Sequence, residues 1–86
     1  LDLDDYKATI SNGNKAIKAG NLKSAGAVWM TMGYAYSDME DYGQAISMFE
    51  KAKEDKKTAR LADSWLQHSQ TAKRRKDQIQ ASYDAL

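Results

Sequence analysis

The sequence predicts an all-α fold of about four helices arranged as antiparallel hairpins. Three observations carry that prediction. The 86 residues include no proline and only five glycines, which favours long helices over a turn-rich β fold. Apolar residues recur at steps of three and four along four successive stretches, the period of one helix face. The stretches are separated by short segments with helix-stop or helix-start chemistry.

The first helix presents Leu3, Tyr6, Ile10, Gly13 and Ile17 on one face, and Asp2, Asp4 and Asp5 at its start complement the helix dipole. Gly20-Asn21 ends it, glycine supplying the left-handed conformation a helix stop needs. Gly13 costs a helix about 1 kcal/mol against alanine, so its place in the stripe predicts a close approach by a neighbouring helix. The second helix runs from about Leu22 to Ser37, with Ala25, Val28, Trp29, Met32 and Tyr36 as its core stripe. After the acidic turn Asp38-Met39-Glu40-Asp41, Asp41 and Gln44 read as a capping box for a third helix that buries Tyr42, Ala45, Ile46, Phe49 and Ala52. Lys51, Lys53, Lys56 and Lys57 crowd its end, where cations suit the dipole. Thr58 is the expected cap of a fourth helix containing Ala59, Ala62, Trp65, Leu66 and Ser69. Beyond Ala72 the residues turn polar, with Ile79, Tyr83 and Leu86 still at helical spacing.

Composition narrows the function. A chain this short buries about 60 to 65% of its unfolded surface and depends on efficient packing. Without cysteine it has no disulfide, thiolate metal site or cysteine nucleophile. No apolar run approaches a membrane span or signal peptide. The chain begins with Leu1 rather than methionine and reads as processed or as a fragment of something longer. Net charge is +1, yet residues 1–50 carry four basic and seven acidic side chains, and residues 51–86 carry nine and five. Such blocks are ordinarily solvated faces.

The middle of the chain carries a spaced set: Trp29, Met32, Gly33 and Tyr36, then Ala45, Phe49 and Ala52. It spells W-x2-M-G-x2-Y followed by A-x3-F-x2-A and resembles the tetratricopeptide repeat (TPR), a helix–turn–helix unit of about 34 residues. Met32 stands where leucine is usual, and Lys57 where proline is usual near the end. On this count one repeat covers residues 26–59, residues 3–20 are the last helix of an eroded preceding repeat, and residues 60–86 form a following or capping helix. The segment Gly20-Asn21-Leu22-x-x-Ala25 also resembles the turn inside a repeat, which would place the repeat at residues 6–39. The register at 26–59 is preferred because its match extends over both helices. The resemblance implies a single TPR-like domain coiled as a right-handed α-superhelix that binds other proteins and performs no chemistry. A weaker resemblance over residues 45–76 is to multi-repeat bacterial proteins of this family, which implies bacterial cytoplasm or periplasm.

The resemblance also implies a groove. Its lining positions fall on Ala27, Met30, Tyr34, Ser37 and Asp38 of the second helix, and on Leu61, Ser64, His68, Thr71 and Ala72 of the fourth. Met30, Tyr34, Ser37, Asp38, Leu61 and His68 are the expected partner-binding residues, Met30 and Tyr34 foremost, for a peptide or helix. The family's lysine and asparagine clamp for a C-terminal carboxylate is replaced here by Met30 and Tyr34. The alternative is a structural role, as the C-terminal cap of a longer array or a self-association module, since fewer than about three repeats seldom stand alone. No cofactor or metal is expected, because Asp38, Glu40 and Asp41 have no loop of calcium-binding length and read as capping residues. Ser64, His68 and Asp63 share one helix, whereas triad members converge from different elements, so no enzyme is expected. Lys73-Arg74-Arg75-Lys76 fans around about 300° of helix without interleaved aromatics, which argues against nucleic-acid binding.

Overall fold

In the computed structural model, which describes residues 2–86, four helices follow one another: α1 (Leu3–Ala19), α2 (Ala25–Asp38), α3 (Tyr42–Ala52) and α4 (Ala59–Asp84). Each packs on the next, and α2 also touches α4. The all-α class and the number of helices are as the sequence predicts.

Capping chemistry sets the boundaries. Asp2 caps α1 by accepting from the Asp5 N–H at 3.1 Å. Gly20 and Asn21 end it with φ of 75° and 61°, and the Gly20 N–H donates back to the Ala16 and Ile17 carbonyls. Helix α2 starts at Ala25 rather than near Leu22, because the Ser24 hydroxyl accepts from the Ala27 N–H and so takes the cap. At its far end the Asp41 N–H donates to the Tyr36 carbonyl at 2.9 Å, with Glu40 in the left-handed region at φ 60°. That bond uses the donor a reciprocal capping box would need. Asp41 therefore accepts from Gln44 N–H at 3.4 Å as a one-sided cap. Thr58 precedes α4 but makes no side-chain cap there. Its hydroxyl donates to the Ala52 carbonyl at 2.8 Å, closing the end of α3 instead.

Two glycines let helices approach. A Cβ on Gly33 would stand 2.8 Å from the Cδ1 and Cζ atoms of Phe49, so the α2 backbone lies directly against that ring. A Cβ on Gly13 would stand 2.6 Å from Cγ and Sδ of Met32, which is the close approach expected of α1. Phe49 is fully buried and is enclosed by Met30, Ala45, Ala52, Ala62 and Leu66. Removing a side chain of this size from water stabilises by about 1.5 to 3 kcal/mol.

Helix α2 departs from the single stripe expected of it. Met30 and Ala35 are buried beside Met32 and Gly33, Val28, Trp29 and Tyr36 are half-buried, and Ala25 is exposed. The cause is position: α2 meets α1 on one side and α3 and α4 on the other, so two faces are covered. Trp29 lies under the Lys51 ammonium, 5.1 Å from the ring centroid, so Lys51 serves an aromatic ring as well as the helix end. Helix α1 covers less: Tyr6, Ile10, Gly13 and Ile17 are half-buried and Leu3 is exposed.

Asp55 joins the two ends of the α2–α3 unit. It accepts from the Ser24 hydroxyl at 2.7 Å, from the Gly26 N–H at 3.0 Å and from the Lys57 N–H at 2.9 Å. Foremost the Ser24 hydroxyl, then the Lys57 and Gly26 N–H groups, hold its carboxyl below the ordinary value of 3.8. Helix α4 continues unbroken to Asp84 and is about 39 Å long, with every residue from Lys73 onward exposed. Lys76 ties its middle to the α2–α3 turn, donating to the Glu40 carbonyl at 2.9 Å beside the Tyr42 ring.

Three stability predictions follow from these contacts. Gly33→Ala forces the Phe49 ring aside and lowers unfolding free energy by about 1–3 kcal/mol in urea titration. Ser69, fully buried in α4 with its hydroxyl unpartnered, is better as alanine, and Ser69→Ala raises stability by up to about 1 kcal/mol in the same titration. Because folding lowers the Asp55 pKa, its contribution is whole above 3.8 and is lost as pH falls through its lower folded value. In thermal unfolding followed by circular dichroism, the gap in Tm between wild type and Asp55→Ala is therefore constant above that pH and narrows in stronger acid.

Candidate functional site

On the face where α2 meets α4, four aromatic rings make a continuous cluster. Tyr34 of α2 stands edge-on to Phe49 of α3, with centroids 5.9 Å apart, and edge-on to Trp65 of α4 at 5.0 Å. Trp65 stacks on Phe49 at 6.0 Å and meets His68, one turn further along α4, edge-on at 5.5 Å. Such pairs each add about 0.5–1.5 kcal/mol beyond the area they bury. Phe49 is buried, Tyr34 and Trp65 are half-buried, and His68 is exposed. The core thus reaches the surface through aromatic side chains.

Beside this cluster Ser64, Trp65 and His68 line a shallow apolar cleft of about 200 Å³. Pockets for drug-sized ligands run to about 300 Å³ and above, so this one has room for a single side chain. Leu61, one turn before Trp65, is 51% exposed and extends the apolar strip. In the other direction Gln67, His68, Thr71, Ala72 and Arg75 continue it as a more polar depression.

The expected groove residues divide. Tyr34 and His68 meet through Trp65, and Leu61 lies on the same side of α4. Met30 does not belong with them. It is 3% exposed and sits in the core with Phe49, Ala62 and Leu66, so it cannot touch a partner. The reason is steric: the small Ala45, Ala52 and Ala62 leave a space that a long flexible side chain fills. Ser37 is half-buried and Asp38 exposed at the end of α2, and neither lines the Trp65 cleft. Ala27 lines a crease toward α1 with Thr9, Gly13 and Ala16.

Trp65 is the site residue that the sequence reading leaves without a role, naming it only as part of the fourth helix. Its position between Leu61 and His68, at steps of four and three, was the available signal. Asp63 points elsewhere: it pairs with Lys53 at 3.1 Å and accepts from Gln67 at 3.0 Å. Among the described residues no hydrogen bond links Ser64 to His68, no three acidic or histidine side chains gather as metal ligands, and no helix is long and apolar enough to cross a membrane. In comparison with known proteins, the chain matches no family model, and no curated protein or solved structure proved similar to it.

Proposed function

We propose that this chain is a protein–protein interaction module of the tetratricopeptide type, holding a partner peptide on the α2/α4 face, without catalysis of its own. The observation that carries this reading is the half-open aromatic cluster of Tyr34, Trp65 and His68 beside exposed Leu61. A cleft the size of one side chain, walled by an indole and an imidazole, suits an apolar anchor residue on an extended or helical peptide. The anchor would bury its side chain against Trp65, the kind of aromatic centre that dominates interface energies. Ser64 and Thr71 alongside supply polar contacts for its backbone.

The repeat assignment at 26–59 is part of the proposal. It is supported by Gly33 seated on Phe49, and by Asp55 tying the Ser24–Gly26 start of α2 to the segment before Thr58. On this reading α1 and α4 are the flanking halves of neighbouring repeats in a right-handed superhelix.

The test is a selection of peptides from a random library on the folded chain, followed by titration of a selected peptide. Backbone amide shifts should concentrate at Leu61, Ser64, Trp65 and His68. Leu61→Asp, at an exposed position that leaves the helix content unchanged, should weaken binding about tenfold or more, the equivalent of about 1.4 kcal/mol. Shifts mapping to α1, or undiminished binding by Leu61→Asp, would overturn the proposal.

A further inference from the structure

Helix α4 is open on two sides. Arg74 stands about 180° around the helix from Trp65, facing away from the aromatic cluster. On that side a crease of about 400 Å³ runs between α3 and α4, lined by Ile46, Gln70, Lys73, Arg74 and Asp77. Gln70 also lines its continuation toward Glu50 and Glu54. Lys73 is tied to Asp77 at 2.8 Å and Lys53 to Asp63 at 3.1 Å. The crease continues past Arg74 to Gln78 and Ala81, and the charges left over are Arg74 within it and Glu50 and Glu54 toward the other end, none of which forms an ion pair among the described residues. The crease therefore has a polarity: Arg74 with apolar Ile46 in one part, and Glu50 and Glu54 in the other.

The outer face of α1 has the matching polarity. Asp4, Ala8, Ser11 and Lys15 follow at steps of four, three and four, away from the Gly13 side that rests on Met32, and all four are exposed. Asp5 and Lys7 flank Asp4 on opposite edges of this face, so Asp4 is the charge at the centre of its first turn, and Lys18 reinforces the basic end. Asp4 and Lys15 are about 16 Å apart along α1, and Arg74 and Leu66, which lines the crease beside Glu50 and Glu54, about 12 Å along α4, a difference that the long Arg74 and Lys15 side chains span. Within its own chain α1 touches α2 alone, so it cannot fill this crease itself.

We propose that the crease receives α1 of a second copy of this chain, lying antiparallel to α4. Asp4, with Asp5 at the edge of the face, then meets Arg74, Ala8 and Ser11 pass over Ile46, and Lys15 and Lys18 face Glu50 and Glu54. The small residues at the centre of α1 let its backbone approach the crease closely. The contact is heterologous, joining different surfaces on the two copies, so each added chain leaves one crease and one α1 free. The product is a head-to-tail row or ring. It leaves the Leu61–Trp65–His68 face uncovered and is independent of peptide binding there.

Sedimentation equilibrium of the whole chain tests this. At about 50 mM salt, where screening is weak, the weight-average mass should rise with concentration to at least twice the monomer's, and about 0.5 M salt should reverse the rise. Arg74→Glu alone should remain monomeric, and so should the double variant Asp4→Lys/Asp5→Lys, both retaining wild-type helix content. An equimolar mixture of the two variants should associate again, because the reversed charges complement each other at every junction. A wild type monomeric throughout, or a mixture that stays monomeric, would overturn the proposal. So would an Asp4→Lys/Asp5→Lys variant that associates like wild type, the behaviour of an α4-to-α4 contact. Peptide titration at Leu61 reads the opposite side of α4, so failure of one proposal is distinguishable from failure of the other.

Discussion

The close approach of α2 to the Phe49 ring is the contact on which the rest of the structure depends. With only hydrogen at Gly33, the ring of Phe49 lies against the α2 backbone, and the hairpin closes around it. Everything at the candidate site is stacked outward from that ring: Tyr34 and Trp65 both touch it, and Trp65 carries His68. A larger residue at 33 would move Phe49, and the two half-buried aromatics with it. The motif residues therefore act at a distance, setting the position of a surface they do not themselves form.

Most of the fold was legible because its signals are local. Gly20 stopped α1, Asp2 and Asp41 capped the helices that follow them, and Gly13 marked a near neighbour. The two misreadings at helix ends have a common physical origin in competition between partners. Asp41 gave its N–H to the Tyr36 carbonyl, and so lost half of its capping box. Thr58 spent its hydroxyl on the helix before it instead of the one after. Met30, expected in the groove and found in the core, and Trp65, given no site role, have a different cause. Periodicity reports that a face is apolar, but not which of several neighbours covers it. Helix α2 is covered on two faces, whereas half of α4 is covered on few.

Helix α4 concentrates the functional questions of this chain. Its inner stripe of Ala62, Leu66 and Ser69 is sealed against the hairpin, at the cost of one unpartnered hydroxyl. Its flanks are the aromatic strip and the charged crease, and its last turns carry Ile79 and Tyr83 at 59% and 68% exposure. On the two proposals above, one helix would offer separate surfaces to a peptide and to another copy of the chain, both positioned by the same buried hairpin. Surface ion pairs such as Lys73–Asp77 contribute little to its stability, on the order of 0–1 kcal/mol.

The central claim is that Phe49 rests on the α2 backbone at Gly33 and positions Trp65 from there. Proton NMR tests it most directly. A ring held this close shields the Gly33 α-protons, so their resonances should lie well upfield of ordinary helical glycine, with nuclear Overhauser contacts from Phe49 to both Gly33 and the Trp65 indole. Gly33 α-protons at ordinary shifts, with no contact to the Phe49 ring, would contradict the account.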